Sequence, residues 1–284
     1  MTGPGDRALR RPEPGEPARA PGSDTDHDRV DRFVRALRAA GCVFAEDEAE
    51  LILAEATDDA HRERMLAARV QGMPLEQVLG WADFDGLRIL LDPGVFVPRQ
   101  RTRLLARRAA AIASARDVVV DLCCGSGAVG AAVATRVPGV ELYAVDLDPA
   151  AVACARRNLE PLGASVYRGD LFEALPPAIR GRVRVLAVNA PYVPTDEIDR
   201  MPPEARDHEP LLALDGGADG LDVHRRVARD AAAWLAPRGS VVIETSRGQA
   251  ATTASLFRCG GMSVETVTDA DLDATVVIAS RPAD

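Results

Sequence analysis

The sequence predicts an α/β protein with a small helical domain, a linking β-hairpin and a doubly wound, mostly parallel sheet of seven strands. Two observations predict this architecture. Beyond residue 99, short apolar runs alternate with helical patterns, which is typical of parallel strands that carry helices on both faces. Before residue 73, the apolar residues recur at helical spacing instead. The 284 residues are enough for one full α/β domain and a small accessory unit.

The part of the chain before the sheet divides into three segments. Residues 1–27 are rich in proline, glycine and charge and have no apolar stretch like that of a secretory signal, so we expect a disordered tail. Residues 28–72 are expected to form the helical domain, which either only packs against the sheet or recognises a partner. Residues 73–98 have glycine, proline and aspartate around short apolar runs, which predicts a hairpin linker with its turn near Asp85-Gly86.

Residues 99–284 contain seven apolar runs that predict strands. These runs are 118–122, 141–146, 165–169, 182–188, 240–244, 263–267 and 274–279. Helical patterns intervene, for example at 149–160 and 220–235. The last two runs are separated only by TDADLD, which is too short for a helical crossover, so we expect them to pair antiparallel.

The overall composition argues against several kinds of protein. A formal net charge of −9 disfavours duplex nucleic acid as the main partner, because phosphate neutralisation by basic residues supplies most of that affinity. No apolar run approaches the length needed to span a membrane. The five cysteines form no paired C-x-x-C set, so we expect no metal site and a reduced cytoplasm as the compartment. We also expect a monomer.

A glycine-rich turn lies between the first predicted strand of the sheet and the helix that follows it. The segment VVVDLCCGSGAVG places Gly125, Gly127 and Gly130 there, where the missing Cβ atoms let the backbone approach a ligand. This pattern alone is a weak signal, because NAD enzymes have it too and because tight packing without any ligand also explains it.

Aspartates at three strand ends narrow the choice of ligand. Asp121, Asp146 and Asp170 lie at the carboxyl ends of neighbouring strands, where open α/β sheets bind ligands. An anion beside the glycine turn disfavours a pyrophosphate but is tolerated by the sulfonium and ammonium groups of S-adenosylmethionine. Each aspartate taken singly is explained equally well by a helix cap or a solvated strand end.

We expect each part of this site to bind a different part of the donor. Asp146 would bind the ribose hydroxyls, and Asp170 with Leu171 would surround the adenine. The methionine portion would lie over the loop formed by Cys123, Cys124, Gly125, Ser126 and Gly127.

Asn189, Ala190, Pro191 and Tyr192 follow the fourth predicted strand of the sheet. A planar amide nitrogen is a poor nucleophile, because its lone pair is delocalised into the carbonyl, so an enzyme that methylates it must hold both N–H hydrogens with fixed acceptors. The Asn189 side-chain oxygen and the Ala190 carbonyl are such acceptors. Pro191 restricts the residue before it to an extended conformation, and Tyr192 would pack over the planar group. The motif therefore predicts methylation of an amide nitrogen, although a strand-terminating turn also explains Asn-x-Pro.

Longer segments around these motifs have the order seen in one known family. The segments are PLEQVLGWADFDGLRILLDPGVFVPRQRT at 74–102, DLCCGSGAVG at 121–130, NAPY at 189–192, ARDHEPLLALDGGADGLDVHRRV at 205–227 and VIETSRGQA at 242–250. Over roughly residues 28–282 the chain resembles the glutamine methyltransferases of peptide chain release factors, the HemK/PrmC type.

This resemblance implies a Rossmann-like class I methyltransferase sheet, with S-adenosylmethionine as donor and S-adenosylhomocysteine as product. It implies a glutamine in the Gly-Gly-Gln loop of a release factor as acceptor, and a helical domain that helps to grip this partner. By position, the resemblance assigns donor contacts to Cys123 to Gly127, Asp146, Leu171 and Asn189, and glutamine contacts to Asn189 to Tyr192.

Three departures from the family pattern indicate a divergent member. Ala190 replaces a proline, which keeps the carbonyl acceptor but makes the loop less rigid. Cys123 replaces a glycine, from which we infer that this position does not need a positive φ. Small hydrophobic packing explains the adjacent thiols Cys123 and Cys124 better than a redox switch does. Arg103 replaces a glutamate and reverses a charge near the donor pocket.

Arg103 belongs to a stretch that also contains Arg99, Arg101, Arg107 and Arg108. If a helix has begun by residue 99, three of the five arginines share one helical face. They form either a solvated face paired with acids or a binding surface for an anionic partner.

Three other functions stay open on the sequence alone. The same fold methylates small-molecule metabolites in some enzymes, and an amino group of a nucleic-acid base presents the same kind of planar NH2. A donor-binding or regulatory protein without activity is the non-enzymatic alternative. The substrate is therefore less certain than the reaction.

Overall fold

The N-terminal part of the structure is a group of four helices. The structure is a computed structural model that describes residues 24–283. The helices are α1 (Asp24–Ala39), α2 (Ala45–Glu55), α3 (Asp59–Val70) and α4 (Leu75–Leu79). Their apolar faces meet in a core that contains Phe33, Leu37, Ile52 and Met65. Helix α1 begins inside the segment predicted as a tail, and residues 1–23 of that segment lie outside the described residues.

The predicted hairpin follows these helices. Strand β1 (Trp81–Phe84) pairs antiparallel with β2 (Leu87–Leu90). The turn residues Asp85 and Gly86 have φ angles of +55° and +80°, and positive φ at both central residues is what a type I′ turn requires. The structure therefore confirms the hairpin and the position of its turn.

The remaining part of the described chain forms one sheet with helices on both faces. The strands are β3 (Val118–Leu122), β4 (Glu141–Asp146), β5 (Ser165–Arg168), β6 (Val183–Val188), β7 (Leu235–Glu244), β8 (Ser263–Asp269) and β9 (Ala274–Ser280). The helices are α5 (Arg103–Ile112), α6 (Ala128–Arg136), α7 (Pro149–Leu159), α8 (Pro203–His208), α9 (Leu211–Leu214), α10 (Asp222–Asp230) and α11 (Ala250–Cys259). All seven predicted strands are present, and β7 begins at Leu235 rather than at residue 240.

The strand order of the sheet is β5-β4-β3-β6-β7-β9-β8. The first five strands in this order are parallel, and β9 is antiparallel to both of its neighbours. The antiparallel pairing that the TDADLD link predicts is thus confirmed. The doubly wound, seven-stranded α/β fold is confirmed with it.

Side chains of the central strands alternate between two helical layers. In β3, Val119 packs in the layer with α5, α6 and α7, whereas Val118 and Val120 pack in the layer with α10 and α11. Every residue of β3 is buried, because helices cover both faces of this parallel strand. Within residues 24–283, no helix has both the length and the apolar character that crossing a membrane requires.

One buried carboxylate ties the hairpin to the sheet and its helices. The Asp85 side chain is only 3% exposed and accepts hydrogen bonds from Arg107 of α5 at 3.2 and 3.3 Å. Its second oxygen accepts from Arg136 of α6, with the Nε atom at 2.8 Å. The placement of the hairpin therefore depends on a turn side chain as well as on apolar packing.

We expect Asp85→Asn to lower the free energy of unfolding by about 1–2 kcal/mol, because two arginines then lose their charged acceptor. Asparagine tolerates the positive φ at this turn position, so the substitution separates the loss of charge from the turn conformation. Urea denaturation of the two proteins measures the difference. Equal midpoints and slopes would show that the ion pairs contribute nothing to stability.

Candidate active site

The register of the parallel strands brings residues from four strands into one row. In β4, β3, β6 and β7, the residues Val145, Leu122, Val188 and Ile243 lie opposite one another. The residues that follow them, Asp146, Cys123, Asn189 and Glu244, therefore form the next row at the carboxyl edge of the sheet. Neighbouring strands are about 4.8 Å apart, so the four side chains lie within one small region.

A cavity of about 500 Å³ opens beside this row. Asp146, Cys123 and Asn189 line it, whereas Glu244 is buried behind Arg101 and Tyr192, which do line it. The volume is within the range of about 300–1,000 Å³ that is usual for cofactor and small-molecule sites. Of the residues predicted for the donor and for the acceptor, all line this cavity except Gly127.

Hydrogen bonds to the backbone hold the glycine turn at the edge of the cavity. The Asp146 carboxylate accepts from the Gly125 N–H at 2.8 Å and from the Asp148 N–H at 2.9 Å. A Cβ atom on Gly127 would lie 2.8 Å from the Leu159 side chain, and its φ is +80°, so this position needs glycine for two reasons. The turn is therefore fixed whether or not a ligand is bound.

Asp170 and Leu171 line the same cavity on the β5 side of the row. The Asp170 carboxylate pairs with Arg226 of α10 at 2.8 Å. Leu171 is buried and has a φ of +49°, which turns the chain around this end of the cavity. The predicted adenine region is thus a partly apolar wall with one ion pair at its rim.

The inference that residue 123 does not need a positive φ is wrong. Cys123 has a φ of +58°, in the left-handed region that glycine adopts without strain. Burial raises the pKa of the Cys123 thiol above its ordinary value and the nearby Asp146 carboxylate adds to this effect, which disfavours the reactive thiolate form.

In the predicted acceptor motif, the side-chain amide of Asn189 faces the cavity without a hydrogen bond to any described residue. By contrast, the Tyr192 hydroxyl donates to Glu244 Oε1 at 3.1 Å and accepts from Arg101 Nε at 3.1 Å. Burial raises the pKa of Tyr192, and the Glu244 carboxylate adds to the effect, so the hydroxyl stays protonated.

Two residues that the sequence patterns did not single out hold the backbone of this motif. The Gln249 side chain donates to the Tyr192 carbonyl at 2.9 Å and to the Asp219 carbonyl at 3.0 Å. Gly220 has a φ of +75°, and a Cβ atom there would clash with the Tyr192 carbonyl. The segment 216–220 therefore packs directly against the motif, which a local pattern does not reveal.

The sequence patterns do not single out Asn158 either, although an asparagine inside a helical pattern is an available signal. It is fully buried on α7 and exchanges two hydrogen bonds of 2.9 Å with the backbone of Leu90 in β2. Its amide also donates to the Ser126 carbonyl at 2.8 Å. One side chain thus links the hairpin to the donor loop.

The arginine stretch pairs mostly with acids. Arg99 precedes α5, so it does not share a helical face with Arg103 and Arg107. Arg99 pairs with the buried Glu209 at 2.6 Å, and Arg107 pairs with Asp85. Arg103 donates to the Gln100 carbonyl at 3.1 Å. The interpretation as a face paired with acids fits Arg99 and Arg107 better than a continuous anion-binding surface does.

The sheet order with its final antiparallel strand is that of class I methyltransferases, and the carboxylate and amide that line the cavity suit their donor, S-adenosylmethionine. The protein is an S-adenosylmethionine-dependent methyltransferase of this class, as its sequence relatives show. Residues 86–199 match the family model of the methyltransferase small domain. The crystal structure of a methyltransferase from Pyrococcus furiosus shares the fold with a TM-score of 0.52 at 15% identity, and the match covers 79% of this chain and 100% of that one.

Sequence comparison identifies the family more closely. The chain is 41% identical over 194 residues to the release factor glutamine methyltransferase of Streptomyces coelicolor, a match that covers 67% of this chain and 69% of that protein. It is 37% identical over 200 residues to the 4-amino-L-phenylalanine/4-methylamino-L-phenylalanine methyltransferase of Streptomyces pristinaespiralis, covering 68% of each. The chain belongs to the release factor glutamine methyltransferase family.

The strain at residue 123 gives a paired prediction. Cys123→Gly and Cys123→Ala both remove the thiol, but only glycine adopts a positive φ without strain, so we expect the glycine variant to be more stable by about 1 kcal/mol. Thermal and urea unfolding of the two variants measure the difference. A more stable alanine variant, the usual order at ordinary positions, would contradict the backbone conformation described for Cys123.

The protonation of Asp121 gives a second prediction. Burial raises the pKa of Asp121 to about 8, opposed by the Gly130 N–H that its carboxylate accepts at 2.8 Å. Asp121 lines the cavity, so a cationic donor favours its ionised form and lowers its pKa. Binding then releases a proton, and we expect the affinity for S-adenosylmethionine to rise as the pH increases toward about 8 and to level off above it.

Calorimetric titration in buffers of different ionisation enthalpy counts the released protons. Asp121→Asn is the matched control, because asparagine keeps an acceptor for Gly130 but does not titrate. We expect the proton release to disappear in this variant. The same release in both proteins would assign it to another group.

Proposed function

We propose that the protein transfers a methyl group from S-adenosylmethionine to the side-chain amide nitrogen of a protein glutamine, in the Gly-Gly-Gln loop of a release factor. The observation that supports this most directly is the position of Asn189. It lines the cavity next to Cys123, and its side-chain amide makes no hydrogen bond to any described residue. The 41% identical relative is named for this reaction.

In this proposal the chain catalyses the reaction mainly by orientation. Asn189 Oδ1 and the Ala190 carbonyl each accept one hydrogen of the acceptor NH2, which directs the nitrogen lone pair toward the cavity. The rest of the motif is braced, because Gln249 holds the Tyr192 carbonyl and the Val193 N–H donates to the Leu214 carbonyl at 3.1 Å. A fixed pair of acceptors is what a weak nucleophile needs.

The bonds of the transfer balance without any further reactant. The donor supplies an electrophilic methyl carbon on a positively charged sulfur. The acceptor nitrogen forms a bond to this carbon while the carbon–sulfur bond breaks, and the electron pair stays on sulfur to give S-adenosylhomocysteine. The methylated nitrogen then loses one proton to water. Asn189 and Ala190 hold the amide throughout, and no ionised base is needed before the attack.

For the donor we propose the contacts that the cavity supports. Asp146 would accept from the ribose hydroxyls with lone pairs that its two backbone bonds leave free. Asp170 and Leu171 would surround the adenine, and the loop from Cys123 to Gly127 would lie under the methionine portion, beside Asn189.

Contacts between the N-terminal helices and the cavity region support a role for these helices in binding a protein acceptor. Arg69 of α3 pairs with Glu48 at 2.6 Å and with Glu204 of α8 at 2.8 Å, and α8 carries residues that line the cavity. We propose that residues 28–72 act as a separate domain that contacts the release factor, with residues 73–98 as its linker. Such a reaction would take place in the cytoplasm.

A second candidate acceptor is a free amino acid that carries an aromatic amine. The 37% identical relative is named for methylation of 4-amino-L-phenylalanine, whose amine also presents two hydrogens. Ala190 in place of the family's first proline is consistent with a change of acceptor. The two candidates differ in size, so a direct assay separates them.

The test uses the full chain with S-adenosylmethionine and two acceptors, the organism's own release factor and 4-amino-L-phenylalanine. Mass spectrometry locates any added methyl group, and we expect it on the glutamine of Gly-Gly-Gln. Methylation of the amino acid with none on the release factor supports the second candidate. Methylation of neither, with donor binding intact, excludes both.

With either acceptor, we expect Asn189→Ala to lower turnover at least about 100-fold, because it removes one of the two acceptors that orient the nitrogen. Asn189→Asp is the matched variant, since it keeps an oxygen acceptor at nearly the same place, and it should retain more activity than the alanine variant. Unfolding curves check that both variants fold. Unchanged turnover in Asn189→Ala would exclude the orienting role.

A further inference from the structure

Arg101 holds an unusual position among the arginines that line the cavity. Among the described residues, these are Arg99, Arg101 and Arg226. Arg99 and Arg226 each bond a carboxylate with a terminal nitrogen, at 2.6 and 2.8 Å. Arg101 is held only through Nε, at 3.1 Å from the Tyr192 hydroxyl and 3.3 Å from Glu244 Oε1. Its two terminal nitrogens make no hydrogen bond to any described residue.

The Nε contacts fix the direction of the guanidinium group. Glu244 is 2% exposed and does not line the cavity, so the Nε atom of Arg101 is turned toward this buried carboxylate and the Tyr192 hydroxyl, and the two terminal nitrogens are left for a ligand. The side chain as a whole is 45% exposed. An arginine anchored in this way presents its two terminal N–H groups as a planar fork, which matches the two oxygens of a carboxylate.

The buried Glu244 carboxylate helps to keep Arg101 in place. Burial raises the pKa of Glu244, and the Thr102 hydroxyl, the Arg101 charge and the Tyr192 hydroxyl oppose this effect. One carboxylate oxygen of Glu244 has no hydrogen-bond partner among the described residues, and the other accepts from both Tyr192 and Arg101, so Arg101 supplies part of the compensation for burying this carboxylate. Arg101 is therefore kept in place even without a ligand, and little side-chain entropy is lost when a ligand binds.

We propose that the free fork of Arg101 is a carboxylate-binding subsite of the methyltransferase cavity, adjacent to Tyr192. This inference rests on the proposed donor and acceptor sites. It adds to them a positively charged group, the Arg101 guanidinium, which neither the glycine turn nor the Asn189 motif contains. Two ligands bring a carboxylate to this cavity: the methionine portion of the donor, and an acceptor that is a free amino acid.

The first arm of the test concerns the donor. Isothermal titration compares S-adenosylhomocysteine with its decarboxylated analogue on the unmodified protein and on Arg101→Gln. If the subsite binds the donor, we expect the variant to lose about 10- to 100-fold in affinity for S-adenosylhomocysteine and almost none for the decarboxylated analogue. A mere disturbance of Tyr192 or of the fold would weaken both ligands alike.

The second arm concerns the acceptor and uses the protein saturated with S-adenosylhomocysteine. Titration compares 4-amino-L-phenylalanine with 2-(4-aminophenyl)ethylamine, which lacks the carboxylate. A 10- to 100-fold loss in Arg101→Gln that is confined to the amino acid assigns the subsite to the acceptor. If neither pair of ligands shows a carboxylate-dependent loss, the proposal is overturned.

Two control variants sharpen both arms. Tyr192→Phe removes the hydroxyl that accepts from Arg101 but keeps the guanidinium, so the discrimination between ligands with and without a carboxylate should persist. Arg101→Lys keeps the charge but lacks the fork, and we expect it to recover only part of the affinity. Absence of S-adenosylhomocysteine binding to the unmodified protein would contradict the proposed function itself. Unchanged affinity of Arg101→Gln for both S-adenosylhomocysteine and 4-amino-L-phenylalanine contradicts only the subsite.

Discussion

The parallel pairing of β4, β3, β6 and β7 is the constraint on which the rest of the site depends. Parallel strands point their carboxyl ends to the same edge, and the observed register places Asp146, Cys123, Asn189 and Glu244 in one row there. A shift of one strand by one residue would turn its side chain to the other face of the sheet. The burial of both sheet faces prevents such a shift, so core packing also fixes the chemistry of the edge.

The strand ends can form a binding site only if the loops that follow them are fixed in position. Here two side-chain amides do this over long sequence distances. Asn158 bonds the backbone of both Leu90 and Ser126, and Gln249 bonds the carbonyls of Tyr192 and Asp219. Each amide satisfies buried or partly buried backbone groups that would otherwise lack partners, which makes it part of the fold as well as of the site.

The sequence predicted the elements of the fold well because their causes are local. Apolar runs, the turn at Asp85-Gly86 and the short TDADLD link each act within a few residues. The interpretation of Cys123 is wrong because a cysteine by itself gives no conformational signal, although the glycine that the family has at this position is typical of a positive φ. The contacts of Gln249 and of Arg101 with Tyr192 each span more than fifty residues along the chain, so no local pattern reveals them.

The structure also changes the meaning of the departure at Ala190. A proline there would stiffen the motif, but this chain braces the same backbone through Gln249 and through the pairing of Val193 with Asp215. In the proposed mechanism, orientation of a planar NH2 group therefore does not depend on that proline. Farther out in the cavity, Arg101 introduces a positive charge beside Tyr192. The residues proposed to orient the nitrogen and the residue proposed to bind a carboxylate are thus different.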